Sequence, residues 1–196
     1  LMALVGPRNA SADTNDAITR YYHAAIAAHL QRGLHVGNLW YNLANRLRSM
    51  RSYGDAIGAY NRARKAQQEY MDRAYFSKEI GGVLFNLRRF SCSAKAYRRS
   101  IELSSNVETR FLFADALMFG KAYEAAALEF DALSEIDGTL GAESRLRGYV
   151  SHWLSGGENV PHSTAYEDLI AFRAKCQKIG DRKSLFLSQL ALTFFE

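Results

Sequence analysis

The sequence predicts an all-α protein, an α-solenoid built from antiparallel helix pairs, and three observations carry that prediction. The same small and large residues return in phase along the chain at steps of 37 and then 33 residues. Only two prolines occur in 196 residues, so long helices run uninterrupted. No stretch alternates apolar and polar residues as a half-buried strand does.

The clearest copy occupies residues 37–68. Trp40, Leu43, the small Ala44 and Leu47 mark one face of a first helix. Tyr53 opens a second helix, and Ala56, Tyr60 and Ala63 mark its face. Two antiparallel helices approach closely only where small residues sit at the crossing and large ones fill the space beside them. Phe90, Ser93, Tyr97 and Ser100 repeat the second-helix pattern 37 residues on, and Tyr123, Ala126, Phe130 and Leu133 repeat it after a further 33. Ile80, Gly81 and Leu84, then Phe113, Ala114 and Leu117, repeat the first. The longer step predicts an extra turn around Gln67–Asp72.

These residues, at a period near 34, resemble the tetratricopeptide repeat. The resemblance covers residues 37–138 and implies a right-handed superhelix whose first helices line a concave groove. It departs at Ser77, where the motif has Trp, and in lacking the closing proline of each copy. Three segments follow: residues 1–36 with a half-repeat helix, residues 37–138 with three repeats, and residues 139–196 with irregular helices, a degenerate repeat or cap. Helices are expected at about 13–31, 37–50, 53–68, 71–87, 90–103, 107–119, 123–135, 141–155, 164–178 and 182–196. Ala17, Tyr21 and Ala24 align with Ala56, Tyr60 and Ala63, so the first helix reads as the second half of an earlier repeat. Ser155–Pro161 reads as a loop, with Ser163 or Thr164 and Glu167 capping the helix after it. The apolar ending SLFLSQLALTFFE either folds back as a cap or marks the chain as a fragment, the favoured expectation.

Catalytic signatures are missing from the sequence: no GxGxxG, no phosphate loop, no HExxH and no CxxC. The five histidines show no ligand-like spacing, and Cys92 and Cys176 stand far apart. The expectation is therefore a protein that is not an enzyme, with no cofactor and no metal. No run of about 18 apolar residues predicts a membrane span. The expected location is the cytoplasm, or the periplasm or exterior if LMALVG with ASA is a signal-peptide remnant.

One feature points to binding. Asn38, Asn42 and Asn45 fall at i, i+4 and i+7, on one face of the first helix of the first repeat. Tyr41 and Arg48 flank them, and Lys78 is the basic residue of the next first helix. An asparagine amide donates to a peptide carbonyl and accepts from a peptide N–H, so it grips an extended backbone without reading side chains. The resemblance puts this stripe in the groove. WYNLAN also resembles the asparagine-bearing helices in the repeats of O-linked N-acetylglucosamine transferases, but no asparagine ladder continues beyond it. Nor do the residues match the Lys/Arg carboxylate clamp of chaperone-binding tetratricopeptide domains. Phe111, Leu112, Met118 and Phe119 make the third repeat's groove face apolar, and residues 141–196 are expected to cover it.

The net charge of +5 comes mostly from arginine. Arg51, Arg88 and Arg89 fall at the turn inside a helix pair, and Arg62, Arg98 and Arg99 fall on second helices. Such an edge meets an acidic protein surface or, less favoured without interleaved aromatics, nucleic acid. The sequence thus predicts a protein-interaction module or scaffold that holds an extended segment of another protein. The alternatives are a non-catalytic repeat domain of a larger enzyme or regulator, and a nucleic-acid-associated repeat using the arginine edge.

Overall fold

The computed structural model describes residues 12–156 and, beyond them, residues 167, 170, 171, 173, 174, 177, 178 and 188. Within residues 12–156 eight α-helices follow one another: α1 (Ala12–Gln31), α2 (Gly37–Ser49), α3 (Tyr53–Ala66), α4 (Ala74–Asn86), α5 (Phe90–Leu103), α6 (Val107–Phe119), α7 (Tyr123–Ser134) and α8 (Thr139–Leu154). A 3₁₀ turn at Gln68–Asp72 separates α3 from α4 and is the insertion that lengthens the first repeat. The described residues contain no strand. No helix among them is long and apolar enough to cross a membrane. The expected loop after Ser155, its capping box and the last two helices lie almost wholly outside the described residues.

The chain divides into two compact units, Leu1–Ser104 and Ser105–Glu196. In the first, α2 packs on α3 and α4 on α5, while α1 lies against α2 and α3 against α4. One core joins Tyr22, Ile26, Leu43, Ala44, Leu47, Ala56, Tyr60, Ala63, Tyr70, Phe76 and Val83. The signature residues behave as their sizes require. Ala44, Ala56 and Ala63 are fully buried at the α2–α3 crossing. A Cβ on Gly81 would lie 2.8 Å from the Tyr97 ring, so only glycine fits where α4 crosses α5. Ser93 and Ser100 replace the two alanines in that pair, and each hydroxyl donates at 2.8 Å to an α4 carbonyl, of Gly81 and Ala74 respectively.

The half-repeat reading of α1 needs one correction. Ala17, Tyr21 and Ala24 face solvent, Tyr21 being 61% exposed, and α1 turns Tyr22 and Ile26 into the core. A second helix in a complete repeat has two neighbours. Among the described residues α1 packs mainly on α2, so chiefly one face is covered, and the bulkier pair takes it.

In the second unit, α7 packs on both α6 and α8. Gly141, Ser144, Gly148 and Ser151 form a stripe of small buried residues on α8. A Cβ on Gly148 would meet the Asp131 carboxylate at 3.0 Å, so the stripe lets α8 approach α7 closely. Phe111 of α6 is buried edge-on against Phe130, and the Arg147 guanidinium of α8 lies 5.0 Å from the centre of its ring. The expected cover over this apolar face is thus supplied in part by α8, while Phe119 stays half-exposed.

α2, α4 and α6 end in the same way. The residue after each C-cap has positive φ: Arg51 at 62°, Arg88 at 58° and Lys121 at 65°. The N–H of each bonds the carbonyl three residues back, and the next N–H bonds the carbonyl five residues back, as in Ser52 to Leu47 at 2.9 Å. This is the Schellman arrangement, which usually carries glycine at that position. A longer side chain there costs on the order of 1 kcal/mol.

Candidate peptide-binding face

α2 is amphipathic in a way that fixes where its asparagines point. Leu43, Ala44 and Leu47 are buried against α3, and Trp40 is half-buried beneath the Arg62 guanidinium, 4.7 Å from its ring centre. The opposite face carries Asn38, Tyr41, Asn42, Asn45 and Arg48.

The structure divides these five into two groups. Asn38 and Asn42 are exposed. Asn38 is steadied from one side, its carbonyl oxygen accepting from the Tyr70 hydroxyl at 2.5 Å. Asn42 makes no hydrogen bond among the described residues, so both ends of its amide face solvent. Tyr41, Asn45 and Arg48 are half-buried and engaged within the protein. Tyr41 stacks on Tyr70 at 5.3 Å and contacts the rings of Tyr60, Tyr75 and Phe76 at 5.8–6.1 Å, which ties α2 to α4. The Asn45 carbonyl accepts from the fully buried Tyr60 at 2.6 Å and from Arg48 at 3.4 Å. Lys78 is half-buried on α4.

The expected binding residues do not include Glu79 or the tyrosines 60, 70 and 75, although register puts Tyr75 and Glu79 on the groove face of the second repeat. Glu79 stands 37 residues after Asn42, at the matching position of the next first helix, and register gives its face but not its burial. Its carboxylate lies 3.5 Å from Arg48 and 3.5 Å from the Tyr60 hydroxyl. The Tyr60 hydroxyl has one proton, and the shorter contact to Asn45 takes it. Burial pushes the Glu79 carboxyl above its ordinary range, outweighing the Tyr41 hydrogen bond, the Arg48 charge and the Tyr60 contact that oppose it. Burial likewise pushes Tyr41 up to about 12 and raises Tyr60 further. Both tyrosines therefore remain neutral donors at physiological pH.

The Glu79 shift carries a stability consequence of defined sign. A carboxyl whose folded pKa is raised binds a proton more readily folded than unfolded. Its ionisation therefore opposes folding, and the penalty is absent at low pH and grows as pH rises from the unfolded value through the folded one. Glu79→Gln is expected to raise the melting temperature at pH 7 and to flatten its pH dependence above about pH 4.5. Thermal melts of both proteins from pH 4 to 8 check this, and a lower melting temperature for the variant at pH 7 would contradict it.

Among the described residues no group of His, Cys, Asp or Glu could hold a metal ion. What the face presents is two outward amides on a helix held from behind by rings and hydroxyls, with the half-buried Arg48 on the same helix.

Comparison with known proteins bears on the fold. No family model matches the sequence, and no curated protein matches it. Solved structures do: the chain is similar to the crystal structure of YrrB, described as a TPR protein with an unusual peptide-binding site. The TM-score is 0.68 and the sequence identity 19%, over 91% of this chain and 84% of that one. The fold is that of a tetratricopeptide-repeat solenoid.

Proposed function

We propose that the chain is a non-catalytic interaction module that holds an extended segment of a partner protein against α2 and α4. Asn38 and Asn42 are the backbone grips, Arg48 and Lys78 flank the segment, and Tyr41 with Asn45 holds the face in shape. The observation that carries this reading is Asn42: an exposed amide with neither end engaged, in phase with a second exposed amide that Tyr70 orients. A preformed face loses little conformational entropy on binding, and each backbone hydrogen bond it offers is worth about 1 kcal/mol. The peptide-binding site described for YrrB, a protein of the same fold, supports a peptide as the ligand class.

The geometry refines the test. Asn45 supports Tyr60, so replacing it disturbs folding as well as the surface. Asn42 supports nothing within the described residues, so Asn42→Ala isolates binding. Affinity capture from source-cell lysate is expected to recover a defined protein with the wild-type chain and to lose it with Asn42→Ala at unchanged helicity and melting. Recovery of the same proteins by both chains would refute the assignment.

A further inference from the structure

The ends of the helix pairs carry a second surface. The three non-glycine residues with positive φ among the described residues are Arg51, Arg88 and Lys121, and all three are cations at equivalent places in successive pairs. Each follows the C-cap of a first helix, where glycine closes the turn with least strain. A positive charge near a helix C-terminus is favourable. That benefit is available within the last turn, where α2 already places Arg46 and Arg48. Helix-end charge thus accounts for the sign of the residue but not for its use of the strained position.

Pairing supplies a second, independent observation. Arg20, Arg48, Arg99, Arg110 and Arg147 each reach a carboxylate within the protein. Arg51, Arg88, the neighbouring Arg89 and Lys121 are exposed and make no ion pair among the described residues. Within the first unit, Arg51, Arg88 and Arg89 stand at the same end of the pairs α2–α3 and α4–α5.

We propose that this end of the first unit, through Arg51, Arg88 and Arg89, docks an acidic segment of a protein, on a surface separate from the asparagine face. Charge complementarity selects the partner, and its spacing selects polypeptide over nucleic acid. The cations come singly or in pairs, one set per helix pair, and exposed Asp55 interrupts them in the first turn of α3. Carboxylates on flexible side chains can each turn to a separate cation, whereas a phosphodiester carries its charge on the backbone itself. Tyr53 and Phe90, the rings nearest the cations in sequence, are half-buried, Tyr53 against the core and Phe90 against Phe85, and neither is a fully exposed ring of the kind on which bases stack.

The strained turn makes the test clean, because glycine at positions 51 and 88 removes charge while suiting the backbone. Fluorescence anisotropy would follow a labelled oligoglutamate, and separately a single-stranded oligodeoxynucleotide of equal charge, titrated at low salt with the full chain and with Arg51→Gly/Arg88→Gly. The expected result is that oligoglutamate binds and the double variant loses roughly fivefold to tenfold in affinity. Its melting temperature should be unchanged or higher. Failure of oligoglutamate to bind, equal affinity for both proteins, or tighter binding of the oligonucleotide than of oligoglutamate would each overturn the proposal.

Discussion

Replacing Tyr60 with alanine is expected to cost about 3–5 kcal/mol of the stability of the first unit. Tyr60 is fully buried where α3 meets α2 and α4. Its ring packs edge-on against Phe76 at 5.6 Å and tilts against Tyr41 at 6.1 Å. Its hydroxyl holds the Asn45 carbonyl and lies beside Glu79. Alanine would open a cavity at the junction of three helices and leave both polar groups without that neighbour. Tyr60→Phe separates the two contributions: it keeps the ring and is expected to cost about 1–2 kcal/mol, the loss of one hydrogen bond with its acceptor left part-buried. Urea unfolding of the two variants checks the values, with Trp40 reporting on the first unit and Trp153 on the second. A cost below about 1 kcal/mol for the alanine variant would mean that the aromatic junction does not organise α2 against α4.

Arg147→Ala is expected to have a comparable effect in the second unit, about 3–5 kcal/mol, by a different cause. Arg147 is nearly buried, pairs with Asp115 of α6, bonds Glu143 at 2.7 Å and covers the face of Phe111. The Asp115 side chain is only 13% exposed. Removing the guanidinium takes the opposite charge away from a carboxylate in a place with little water, and that loss supplies most of the cost. The double variant Arg147→Met/Asp115→Asn should therefore recover much of the loss, since the aliphatic chain still covers Phe111 and the only charge left of the three is that of Glu143, whose side chain is 26% exposed. Unfolding followed by Trp153 measures both variants. An Arg147→Ala protein as stable as wild type, or a double variant no better than the single one, would contradict this account of α8.

Much of the fold was legible because the repeat writes its packing into residue size. Ala44, Gly81 and Ala114 are small for the same reason: each lies where a first helix crosses its partner. The insertion at Gln68–Asp72 was legible from the change of step. Less of the site was legible. The stripe of asparagines is visible in the periodicity of one helix, but their division into outward grips and internal supports depends on Tyr60 and Tyr70. Those residues lie 15 and 32 positions away from the amides they hold, Asn45 and Asn38. The face of Glu79 is legible from register but its burial is not, because a lone glutamate on a helix ordinarily faces water and only the packing of α4 with α2 and α3 buries it. The face of α1 was misjudged because Tyr60 is buried between two neighbouring helices, and the match of Tyr21 to it carries the residue pattern over without them.

The central claim is that an extended segment lies across the exposed amides of α2. It is tested most directly by side-chain amide NMR of the chain, with the asparagine signals assigned, during titration with the segment that affinity capture identifies. The account predicts that the Asn38 and Asn42 signals move together with saturation. It also predicts that Asn42→Ala weakens binding about tenfold, the value of its backbone hydrogen bonds, at an unchanged melting temperature. Saturation with both amide signals unmoved, or equal affinity for Asn42→Ala and wild type, would place the partner elsewhere on the molecule and contradict the assignment.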